Sequence, residues 1–405
     1  MLSRLLRHGS RMLEARRLPA AAREAMAQDR AGALGSDPGA PEAVRLGMQW
    51  LARAQDKSAS ADGGVARDFS LVNGWATSYP ETTGYIVPTF LDYARRFDDS
   101  EAEQRARRML DWLVAIQLPD GAFQGGRIDS EPVVPVTFNT GQILLGLAAG
   151  ALRFGEPYRT AARRAADWLV ETQEANGSWV RFPTPFAQPG LKTYETHVAW
   201  GLFEAARALE EPRYATTARA NVDWALGYQR PNGWFEHCCL SEPERPLTHT
   251  LGYVLRGLVE AHRYTGDASL LAAARRTADG LLGTQQSDGS LPGRLTETWQ
   301  AAVDYSCLTG NVQIAWCWFY LASEAGEERY DVAARRANAY VRRTLQCAGD
   351  PDRVGGVKGS FPVSGGYGRF EYLNWAAKFM VDANLAEVDR EGGMRQTQQG
   401  RMAEA

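Results

Sequence analysis

Two kinds of helical segment alternate along this chain. The first, typified by 101–116, carries arginines on one stripe and Ala, Leu and Trp on the other. A helix with one charged stripe belongs at a surface. The second kind, at 81–97, 138–153, 194–209, 248–264, 307–323 and 371–386, is rich in Leu, Ala, Val, Gly and aromatic residues and poor in charge. A helix that is apolar nearly all round is buried. The alternation predicts six helical hairpins, each with one outer and one inner helix.

A repeat sets their phase. A Trp followed five residues later by Gln recurs at Trp50/Gln55, Trp112/Gln117, Trp168/Gln173 and Trp224/Gln229, while a fifth copy keeps Gln285 but has Gly280 at the Trp position. Gln117, Gln173, Gln229 and Gln285 stand 56 residues apart, with flanking steps of 62 from Gln55 and 61 to Gln346. Arg107, Arg163, Arg219 and Arg275 keep the same phase, so they are expected in surface or inter-repeat ion pairs. After each Gln comes a glycine turn, among them PDGAF (119–123), ANGSW (175–179) and PNGWF (231–235). Asp-Gly and Asn-Gly supply the positive φ such turns need.

Hairpins of this size bury their apolar faces only against each other. Six of them closing on themselves give an all-α (α/α)6 toroid around a central cavity, expected over 39–388; an open solenoid is the alternative. Closure requires Tyr85 or Ile86 to touch the segment 371–383. Residues 1–38 read as an Arg-rich helix or arm, and the polar segment 389–405 as a disordered tail.

Composition narrows the class. With 405 residues, 44% apolar and a net charge of −3, the chain is an ordinary globular protein and not a nucleic-acid binder. Of 45 Lys plus Arg, only Lys57, Lys192, Lys358 and Lys378 are lysines, so each lysine is a rare event. Five unevenly spaced cysteines suit a reducing compartment. No apolar run reaches the length of a membrane span, and arginines interrupt the N-terminal segment where a signal peptide would need an apolar core. The cytoplasm is the expected location.

In a toroid the turns and the inner-helix starts ring one mouth of the cavity, where free N–H groups favour anionic ligands. Glu81, Tyr194, His249 and Glu371 are the candidates there for proton transfer. Tyr85, Asn139, Gln142, Glu195, His197, Asn311, Tyr367 and Asn374 are candidates to hold a ligand, with Lys358, between glycines, as an anion contact. Trp75 and Trp299 lie outside the turn motif and offer faces for sugar rings. Capping, core packing and a flexible surface loop are the competing roles for all of these. His249 is expected to face the cavity near Tyr194 or Glu195 and Cys307 or Asn311, its pKa lowered by the helix N-terminus. No cofactor is expected. A zinc site at His237, Cys238 and Cys307 is the alternative, although no metal-type Cys-x-x-Cys spacing supports it.

The run Gln-x-x-(Asp/Asn)-Gly-x-(Trp/Phe) resembles the QW-type repeat of terpenoid cyclases and protein prenyltransferases. The expected toroid is also similar to six-hairpin glycosidases, sugar 2-epimerases, unsaturated glucuronyl hydrolases and polysaccharide lyases. The stretches YPETTGYIVPT (79–89), FNTGQILLGL (138–147), NGWFEHCCLSEPERPLTHT (232–250), CLTGN (307–311) and GGVKGSFPVSGGYGRFEYLNWAAKF (355–379) resemble a bacterial family of such toroids linked to exopolysaccharide biosynthesis. The resemblance implies a carbohydrate-active enzyme of lyase, epimerase or hydrolase type. Its substrate would be an acidic saccharide in the central cavity, and its partners polysaccharide-assembly proteins. Two alternatives stay open: a cyclase or prenyltransferase acting on an isoprenoid, and a non-catalytic scaffold. The cyclase reading lacks its Asp-x-Asp-Asp proton donor anywhere in the chain. A cavity lined by Phe and Leu would favour isoprenoid; one lined by Trp, Asn, Gln and His would favour sugar.

Overall fold

A short helix, Ala20–Arg30 (α1), precedes the ring in the computed structural model, which describes residues 17–403 and side chains through 392. Six outer helices follow: Ala40–Asp56 (α2), Ser100–Ile116 (α4), Tyr158–Thr172 (α6), Pro212–Leu226 (α8), Ala268–Leu282 (α10) and Glu328–Arg342 (α12). Each is answered by an inner helix: Pro80–Phe97 (α3), Thr137–Phe154 (α5), Thr196–Leu209 (α7), Thr248–Thr265 (α9), Leu308–Ala325 (α11) and Asn374–Ala403 (α13). The first and last hairpins share a three-stranded sheet, in which Asp68–Ser70 (β1) pairs with Gly74–Trp75 (β2) and, antiparallel, with Glu371–Leu373 (β5). A smaller pair joins Ser306–Cys307 (β3) to Ser360–Phe361 (β4).

The repeated Gln explains the 56-residue period. Gln117 Nε2 donates to Gly121 O at 2.9 Å and to Ala161 O of the next outer helix at 3.0 Å. Gln173 does the same with Gly177 O and Thr217 O. Each amide thus clamps its own turn to the following hairpin. The turn glycine lies so close that a Cβ on Gly233, at φ +84°, would sit 2.2 Å from Arg276 O. Inner helices approach as tightly, since a Cβ on Gly146 would lie 2.2 Å from Gly84 O.

The ring closes. Tyr85 packs on Phe379 with centroids 5.5 Å apart, Thr89 Oγ1 donates to Asp382 at 2.7 Å, and Asn374 Nδ2 donates to Thr82 Oγ1 at 2.7 Å. On the outside, Trp50 Nε1 reaches Asp352 O at 2.9 Å. The fold is therefore an all-α (α/α)6 toroid. Its phased arginines stay on the outer helices. Arg163 pairs with Glu211 at 3.5 Å, Arg219 with Asp267 at 2.7 Å and Arg275 with Glu327, while Arg107 covers the Phe154 ring. Exposed pairs of this kind contribute only ~0–1 kcal/mol each.

Two flanking expectations meet the structure differently. Residues 1–16 of the N-terminal arm lie outside the described residues. Helix α13 continues to Ala403, through most of the segment read as a disordered tail.

The lumen is not an open channel. Tyr253 of α9 contacts Phe138 of α5 at 5.1 Å, His197 of α7 at 4.5 Å and Phe379 of α13 at 6.4 Å. Its hydroxyl also approaches that of Tyr85, on the diametrically opposite helix α3. This waist separates a packed cluster of buried polar side chains at the N-terminal ends of the inner helices, called the chamber, from a funnel at their C-terminal ends.

Candidate active site

Glu81 enters the chamber from the first turn of α3, where Pro80 at the helix start fixes the chain direction. Burial pushes its carboxyl up to about 7, against the opposing pull of the Tyr79 hydroxyl and the Arg67 guanidinium. Arg67 comes from the strand segment leading into β1. It binds Asp68 at 2.5 Å and Glu371 at 3.0 Å and lies over the Trp375 ring. The β1–β5 pairing sets Ser70 opposite Glu371, so sheet register delivers Glu371 to Arg67. Burial raises the Glu371 carboxyl, and Arg67 draws it back down.

Across the chamber, His249 stands in the first turn of α9. Its Nδ1 meets Gln313 Oε1 at 2.6 Å, and its ring packs on Tyr253 and Tyr367. His197 is arranged in the same way on Gln142, with Nδ1 to Oε1 at 2.6 Å. Gln142 also donates Nε2 to His197 O at 3.3 Å, which turns its Oε1 toward the ring. For His197, whose Gln142 amide is anchored in this way, the acceptor facing Nδ1 assigns the proton to that nitrogen and leaves Nε2 as a lone pair; His249 makes the same Nδ1–Oε1 contact. Both imidazoles are uncharged: desolvation takes His249 down to about 4 and holds His197 well below the usual range. Burial rather than the helix end causes the His249 shift. Tyr194, in the turn Thr193–Glu195, packs edge-on against Phe138 at 5.4 Å, and its neighbour Glu195 is held strongly toward its protonated form by burial. Tyr367 accepts from Trp375 Nε1 at 2.8 Å, so these two aromatic rings brace each other beside His249.

Several buried polar atoms around this chamber have no hydrogen-bond partner among the described residues: His197 Nε2, Gln313 Nε2, Asn139 Nδ2, Glu195 Oε2 and Thr309 Oγ1. Orphaned groups are expensive in a folded interior unless water or a ligand satisfies them.

The structure therefore brings Glu81, Tyr85, Gln142, Tyr194, Glu195, His197, His249, Tyr367 and Glu371 to one end of the barrel. Other candidates serve the framework. Lys358 is buried and bound to Asp29 of α1 at 2.6 Å, so it is no free anion contact. Asn311 accepts from Leu291 N and donates to Ser306 Oγ and Cys307 O, tying its turn to α11. Asn374 donates to Ala66 O and Thr82 Oγ1 across the ring closure. Trp299 fills the space over Gly280 and packs on Trp234 at 5.2 Å, supplying the indole that the fifth repeat lacks. Trp75 is wedged between Trp50 and Phe69. For zinc, His237 is exposed, and burial keeps the Cys238 and Cys307 thiols protonated. No group of three or more His, Cys, Asp or Glu side chains suited to a metal gathers among the described residues.

Arg67 and Tyr79 escaped the sequence reading. Arg67 stands four residues after its turn glycine, where other units carry Gly125, Gly293 or Gly359. One arginine in so arginine-rich a chain gives a weak signal.

The fold and these residues define an α/α toroid with a cluster of buried ionisable side chains at the N-terminal ends of its inner helices. Residues 79–256, less than half of the chain, match the squalene–hopene cyclase C-terminal domain family. Among solved structures, the chain is similar to an unsaturated glucuronyl hydrolase specific for heparin, with TM-score 0.70 and 14% identity, covering 87% of this chain and 98% of that one. An unsaturated glucuronyl hydrolase from Bacillus sp. GL1, responsible for glycosaminoglycan degradation, aligns with TM-score 0.66 and 19% identity over 85% of this chain and 96% of that one. Cellobiose 2-epimerase from Bacillus thermoamylovorans B4167 aligns at 0.61 and 12% over 83% and 95%. No described helix is long and apolar enough to cross a membrane.

Proposed function

We propose that this chain is a carbohydrate-active enzyme that performs acid–base chemistry on an acidic saccharide in the N-terminal chamber. The observation that carries this reading is the set of orphaned donors and acceptors interleaved with Phe138, Tyr194, Tyr253, Tyr367 and Trp375. Hydroxyl-rich sugars both donate and accept hydrogen bonds and lay their faces on aromatic rings; an isoprenoid would leave those groups unpaired. Glu81, protonated up to about 7, supplies a proton, with the Tyr79 hydroxyl bonded to it and Tyr194 as the second candidate. His249, uncharged down to about 4, takes one through Nε2. Arg67 is the chamber's cation; a substrate carboxylate competes with Glu371 for it.

Among lyase, epimerase and hydrolase chemistries, removal and return of a carbon-bound proton fits best. A neutral imidazole and a protonated carboxyl are in place, whereas the second carboxylate that hydrolysis needs is tied to arginine. The glucuronyl hydrolase and epimerase likenesses support the sugar class. The setting proposed for the substrate is surface or exopolysaccharide biosynthesis in the cytoplasm, with assembly proteins as partners; it rests on the motif resemblance.

The test is incubation with uronate-containing oligosaccharides in D2O, followed by NMR. Deuterium at a substrate carbon, lost in Glu81→Gln and His249→Gln, is the expected result. Release of sugar without any deuterium at carbon would overturn the proton-abstraction mechanism. A thermal shift with isoprenoid diphosphates and none with saccharides would overturn the substrate class.

A further inference from the structure

The funnel beneath the waist has a volume of about 580 Å³ and takes side chains from all six inner helices. That is within the usual range for small-molecule sites. Arg256 dominates its floor. Its guanidinium lies 4.4 Å from the Trp200 ring centre and 3.2 Å from that of Trp316, so two indoles pack against it. The residue is only 6% exposed. Its Nε donates to Glu260 at 2.7 Å, whereas its two terminal nitrogens have no hydrogen-bond partner among the described residues. Glu260 is shared with Arg263 and does not line the funnel.

Acidic residues do line the funnel, but their charges are engaged. Asp382 is held by Lys378 and Thr89, Asp92 and Asp389 by Arg96, and Glu204 by Arg207. Arg256, nine-tenths buried in the funnel wall, thus keeps the edge formed by its two terminal nitrogens open. Packing against the indoles leaves the edge that matches a carboxylate or phosphate in a two-point contact.

We propose that this funnel is a second ligand site, separate from the N-terminal chamber, which takes an oxyanion-bearing small molecule of about monosaccharide size on the Arg256 edge. Carboxylate and phosphate share the required geometry, so the source is settled by probe. Titrations of the full chain with glucuronate, glucose 6-phosphate, inorganic phosphate and glucose, read by calorimetry and tryptophan fluorescence, separate the cases. Binding of at least one anion and not of glucose, with a change in Trp emission, is expected. Arg256→Lys keeps the charge opposite Glu260 but loses the fork, and should weaken that binding at least 10-fold; Arg256→Met should abolish it. Glu81→Gln should leave it unchanged. If Arg256→Met fails to fold, Arg256→Lys alone decides. Absence of anion binding, equal affinity in Arg256→Lys, or loss of binding in Glu81→Gln would each overturn the proposal.

Discussion

The two ends of the lumen treat buried polarity in opposite ways. In the N-terminal chamber, Glu81 and Glu195 are held toward their acid forms and His197 and His249 toward their neutral ones, beside one charged cluster of Arg67, Asp68 and Glu371. At the C-terminal funnel, charges are paired, as in Arg256–Glu260 and in Lys378–Asp382, where Asp382 opposes the lowering of the Lys378 ammonium by burial. Both arrangements answer the same desolvation penalty. Only the first leaves groups free to give or take a proton near neutral pH, whereas the second fixes charges in place. The difference separates a set of groups suited to proton transfer from a set suited to holding a charged ligand.

The largest expected effect lies behind the funnel wall, at Glu260. Glu260→Gln leaves Arg256 and Arg263 without their shared carboxylate and should cost about 3–5 kcal/mol, measured by denaturant unfolding near pH 7. A loss below about 1 kcal/mol would mean that the funnel charges are not fixed by pairing.

The chamber should respond with the opposite sign. Glu81 is ordinarily half-ionised near 4.5 and here near 7, so the native state loses stability as pH rises from 4.5 to 7. Glu81→Gln removes that penalty and should be more stable than the parent by up to about 3 kcal/mol at pH 8, with little difference at pH 4. A pH-independent difference would show that Glu81 is not held protonated.

His249 acts over a complementary window. Unfolded chains protonate it below about 6.5, the folded chain only near 4, so stability falls as pH drops through that interval. His249→Gln should flatten this acid limb by up to about 3 kcal/mol. An unchanged limb between pH 6.5 and 4 would contradict the buried neutral imidazole. Smallest of all, Arg219→Ala on the outer ring should change stability by at most ~1 kcal/mol, and a larger loss would mean the outer pairs are not solvent-screened.

How far the sequence could be read follows from what repeats. The clamp made by Gln117 and Gln173 uses one residue type at one spacing, so periodicity exposes it and the toroid with it. Inner-helix starts carry polar residues for two reasons, and sequence does not separate them. Thr83 and Thr140 accept the N–H groups of Val65 and Phe123, and Asn311 makes the same bond in the fifth unit, whereas Glu81 and His249 are buried ionisable groups shifted toward their uncharged forms. Lys358 misleads for another reason. Its partner Asp29 is 329 positions away in α1, a pairing no local pattern encodes. Arg67 is delivered to Glu371 by pairing between the first and last hairpins, which exists only once the ring has closed.

The indole at Trp299 bears on how this ring has diverged. Its five-membered and six-membered rings occupy the ground where a side chain at Gly280 would start, the nearest ring atom lying 2.2 Å from a Cβ placed there. The indole that the first four repeats carry on the outer helix is supplied here from the following loop. Neither position can change alone: a larger residue at 280 collides with the indole, and losing the indole opens a hole over Trp234. The two sites must drift as a correlated pair. A hairpin can thus lose the letter that marks it as a repeat and still keep the physical part, so counts based on the motif understate kinship among such rings.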